Sequence, residues 1–110
     1  MPRREGPEGP KSRIERFPGE MVLLQNLQQA ASTANDFIVR HVGKDEVQRA
    51  AFLALSGRAD EAVDACKRIL DMLDRGSAPS DLDSATKIAQ AIYKDLIAAL
   101  DVARKLVGEA

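Results

Sequence analysis

An all-α antiparallel bundle of about four helices is the architecture this sequence predicts, and two observations carry it. Leu24, Leu27, Ala31, Ala34 and Ile38 near the start, and Ala85, Ala89, Ile92, Leu96, Ala99, Ala103 and Leu106 near the end, recur at spacings of mostly three and four. That is the period of helices that pack on other helices. Half of this seam is alanine, which lets helix axes approach closely and fills the interior with backbone and β-carbons instead of a ligand pocket. Such a chain is a scaffold, and its work is expected on its outside.

The elements follow from caps and breakers. Pro18 and Gly19 open a first helix, 18–41, with Arg40 and His41 in its last turn and Gly43 as the left-handed residue that stops it. A short second helix, 45–56, starts at the N-cap Asp45 and carries Val47, Ala50, Ala51, Ala54 and Leu55 to a stop at Ser56-Gly57. The third, 59–75, turns Ala62, Val63, Cys66, Ile69, Leu70 and Leu73 inward. Gly76-Ser77-Ala78-Pro79 is a break, after which Ser80 caps the fourth helix, 80–107, with Asp83 in the place of a capping-box acid and Gly108 closing it. If Gly57 merely kinks one helix spanning 45–75, the same sequence makes a three-helix bundle instead.

At 110 residues, 45% hydrophobic and 30% charged, the chain reads as one globular domain, 18–110, preceded by an arm, 1–17. The arm is rich in proline and glycine, a composition that cannot build a core. Residues 1–19 hold five bases against three acids, a net of +2, which leaves −3 for the remainder. Ile14 and Phe17 are its large apolar groups and are expected to dock beside the first helix. No apolar run approaches the roughly 18 residues that span a bilayer, and no apolar stretch follows the charged start, so a cytoplasmic location with no membrane contact is expected. One cysteine forms no internal disulfide, in keeping with a reducing compartment. Three Phe, one Tyr and no Trp argue against base-stacking platforms and aromatic-walled pockets.

Residues 50–70, AAFLALSGRADEAVDACKRIL, resemble the inner part of a single tetratricopeptide repeat: a first helix, a turn on Gly57, then Asp60-Glu61-Ala62 opening a second helix with Ala62 at the crossing. The resemblance covers about a fifth of the chain. Ala59 stands where that family has a large aromatic, Ile69 takes a place usually kept small, and no second copy follows at the repeat period of roughly 34 residues. It implies a tight helical hairpin and, by analogy, a protein- or peptide-binding role. A DNA-binding reading of the same hairpin conflicts with Asp60, Glu61 and Asp64, which would meet the phosphate backbone with like charge.

Chemistry-bearing constellations are lacking. One His and one Cys supply at most half of a zinc site, and no Glu-x-x-His pairs exist for a di-metal bundle, so no metal, cofactor or catalytic residue is assigned. His41 followed by Lys44 resembles the arrangement in phosphotransfer domains, but Gly43 interrupts the helix and Asp45 replaces the glycine that opens such a site. His41 is better read as a helix-capping or seam-edge group. Cys66 is expected as a small buried hydrophobe, Tyr93 as a seam-edge ring with a wet hydroxyl, and Asp101–Lys105 as an exposed i,i+4 pair.

The outward face of the first helix is the feature that points to function. Gln25, Gln28, Gln29, Ser32, Asn35, Asp36 and Val39 are the candidate interface residues, a polar surface with almost no charge. Faces meant only for water usually carry charge, whereas amides and hydroxyls tolerate partial burial at an interface. Leu23, Ala30 and Phe37 at the seam edge widen the apolar stripe. The expected function is a non-enzymatic protein-interaction module or small adaptor, binding another protein or itself as a homodimer. A nucleic-acid-associated regulator acting through the basic arm is the alternative, although the element chemistry makes nucleic acid the weaker partner.

Overall fold

A computed structural model describes residues 17–109 and shows three helices: α1 Pro18–Arg40, α2 Glu46–Arg75 and α3 Pro79–Leu106. The expected helices 45–56 and 59–75 are one. Phe52, Leu55, Ala59, Ala62, Cys66, Ile69 and Leu73 are all buried and alternate at three and four without losing phase across Ser56-Gly57. A glycine inside a helix costs about 1 kcal/mol relative to alanine, whereas burying one large apolar side chain gains about 1.5–3 kcal/mol. A turn at Gly57 would put half of the seam out of register, so the helix continues. The hairpin implied for residues 50–70 is therefore not formed there, and Gly57 is an exposed position on the side of α2 away from the core.

The helices run up, down, up. The Cys66 Sγ lies 3.7 Å from the Leu24 carbonyl oxygen, and Phe37 meets Phe52 edge to face at 5.5 Å, which sets α1 and α2 antiparallel. The Gln48 side-chain amide donates to the Leu106 carbonyl at 3.0 Å, bringing the start of α2 to the end of α3. All three helices contact one another, and α2 has the broadest contacts with both neighbours. Alanine takes Ala30, Ala31, Ala34, Ala59, Ala62, Ala89 and Ala103 of the core, and no polar or charged side chain among the described residues is buried.

Helix ends correct several expectations. Asp45 caps α2 as read, its carboxylate accepting the Gln48 N–H at 2.8 Å. Gly76 (φ 71°, ψ 44°) ends α2 in a left-handed stop, with its own N–H donating to Leu73 and that of Ser77 to Met72. Gly108 (φ 82°) ends α3 in the same way. Gly43 does not play this part, because α1 stops at Arg40 and His41 is extended (φ −116°). Glycine at 43 answers a steric need: a Cβ there would lie 2.6 Å from Arg49 Cγ and 3.2 Å from its backbone. Ser80 does not cap α3 either, since Ala78 is the N-cap, and Asp83 instead pairs with Lys87 at 3.2 Å.

The core is also shifted from the expected stripe. Ala30 and Phe37, read as seam-edge residues, are fully in the core, whereas Ile38 is only half buried. Val47, Ala50 and Ala54, expected inward, are exposed, and so is Val63. A helix in a three-membered bundle faces two neighbours at once, so its buried arc is wider and rotated relative to a single seam. Leu96 is fully buried as expected, and Leu100 joins it. Ile14 and the arm up to residue 16 lie outside the described residues, and Phe17 packs against the core.

Leu96→Ala should lower stability by about 2–5 kcal/mol, as a buried large-to-small change does. Lys94→Ala, on the exposed side, should stay within about 0.5 kcal/mol of wild type. Equal urea midpoints for Leu96→Ala and wild type would show that α3 has a different register.

Candidate interaction surface

α1 builds its outward face because the apolar positions of residues 18–40 all fall on the opposite arc. Leu24, Leu27, Ala30, Ala31, Ala34 and Phe37 are buried, which leaves Gln25, Gln28, Gln29, Ser32, Asn35, Asp36 and Val39 exposed, every one of them. No Asp, Glu, Lys or Arg occurs between Glu20 and Asp36. Val22 (57% exposed) and Val39 (85%) stand near the two ends of this uncharged surface. The exterior of α3 differs, with its Asp83–Lys87 and Asp101–Lys105 pairs at 3.2 and 3.1 Å.

The two flanks of the face open into shallow clefts. On the α2 side, Gln25 and Gln28 rim a cleft of about 350 Å³ whose walls are Pro18, Met21, Val22, Leu24 and Leu70. Towards α3, Asn26, Gln29 and Thr33 line a second of about 270 Å³ with Tyr93, Ile97 and Arg104. The Thr33 hydroxyl donates to the Gln29 carbonyl at 2.9 Å, so it is engaged within its own helix. Amides beside apolar walls are the composition of an interface rim.

At the end of the bundle near residues 40–49, a polar cluster ties the three helices. His41, the C-cap of α1, stacks on Phe37 at 4.4 Å between ring centroids, and its Nε2 lies 2.5 Å from a Glu109 carboxylate oxygen. Arg40 approaches the same oxygen at 3.7 Å. The Gln48 side chain accepts the Lys44 N–H at 2.8 Å while donating to Leu106. Sequence reasoning placed His41 at a helix end but missed Gln48 and Glu109, because nothing local in the chain announces that residues about 60 positions apart will meet. Among the described residues, no group of three His, Cys, Asp or Glu side chains converges as metal ligands.

Cys66 is buried against Leu24, and burial pushes its thiol above the ordinary value, since the thiolate would lose its hydration. No helix among the described residues is long and apolar enough to cross a membrane. Comparisons with family models, with curated proteins and with solved structures found no match to this chain.

Native Cys66 should react with a thiol reagent far more slowly at neutral pH than in the urea-unfolded chain. The folded thiol holds its proton to higher pH than the unfolded one, whose value is near 8.5. Its contribution to stability is therefore intact below that pH and is lost as pH rises through the folded thiol's higher value. Cys66→Ala should flatten this alkaline fall, and identical slopes of stability against pH in the two proteins would contradict it.

Proposed function

We propose that this protein is a non-enzymatic interaction module, a small adaptor that engages another protein through the outward face of α1. The observation that carries the reading is the uncharged surface between Glu20 and Asp36, exposed along its whole length and bounded by Val22 and Val39. Solvated helix faces gain solubility and i,i+4 pairing from charge, and the charge on α3 follows that rule. α1 forgoes both. Uncharged amides lose less on desolvation than carboxylates or ammonium groups, and the flanking clefts offer apolar walls to a partner's side chains.

Gln28→Glu with Ser32→Glu sets two like charges one turn apart on this face. On a surface that meets only water, the pair costs about 0.5 kcal/mol by mutual repulsion. In a contact the charges would be desolvated without partners, at several kcal/mol. The double variant should thus keep its urea midpoint within that small shift while recovery of bound protein by the immobilised chain falls at least about tenfold. Binding should change little between about 50 and 200 mM salt, unlike phosphate recognition, which falls steeply over that range. Unchanged recovery in the double variant would overturn the proposal.

A further inference from the structure

We draw no further inference here: the strongest candidate, the apolar cleft of about 350 Å³ between the start of α1 and Leu70 of α2, belongs to the α1 surface already described, and nothing in the structure shows what covers it.

Discussion

The rest of the structure depends on one repeat, the alternation of three and four residues that carries Phe52, Leu55, Ala59, Ala62, Cys66, Ile69 and Leu73 down one side of α2. These side chains meet both neighbours, so their phase sets where α1 and α3 lie. Keeping that phase outweighs the penalty of Gly57 inside the helix, because losing it would expose several large apolar groups, each of which contributes more than one glycine removes. α2 is therefore one helix of 30 residues, and the bundle has three members.

Alanine in the seam has a second consequence. With Ala30, Ala34, Ala59, Ala62, Ala89 and Ala103 fully or nearly fully buried, the helices close on one another and the interior is filled by main chain and β-carbons. No polar side chain among the described residues is buried, so the core is held by apolar contacts alone. The exteriors of the helices differ in chemistry: amides and hydroxyls on α1, and Asp–Lys pairs on α3. The polar contacts of His41, Gln48 and Glu109 hold one end of the bundle together, so that these faces keep a fixed relation.

Much of this was legible in the chain. Asp45, Gly76 and Gly108 carry their end signals locally, through one side chain or one left-handed residue, and each stands where a helix starts or stops. Leu96 and Cys66 follow from simple periodicity, and the seven candidate residues on α1 are exposed because the apolar arc opposite them is continuous. Ser56-Gly57 with Asp60-Glu61 misled for the same reason that the other signals succeeded. They resemble a stop and a start when read locally, but the core overrides them through Phe52 and Ala59, whose place in the repeat shows only when the whole of 46–75 is read as one period. The rotation of the buried arc towards Ala30 and Phe37, and the meeting of Gln48 with Leu106, depend on how three helices assemble, which no window of one helix contains.

The continuity of α2 is open to a direct distance measurement. Spin labels at Ala50→Cys and Asp71→Cys, both exposed positions, in a Cys66→Ala background and diluted with unlabelled chain, report the axial span of the helix by electron double resonance. One uninterrupted helix places the two positions about 32 Å apart, at 1.5 Å per residue. A hairpin turning at Gly57 brings them within about 20 Å, since the two arms would lie side by side at helix packing distance. A distribution centred near the longer distance is the predicted result, and one centred at the shorter would contradict the single helix on which this account is built.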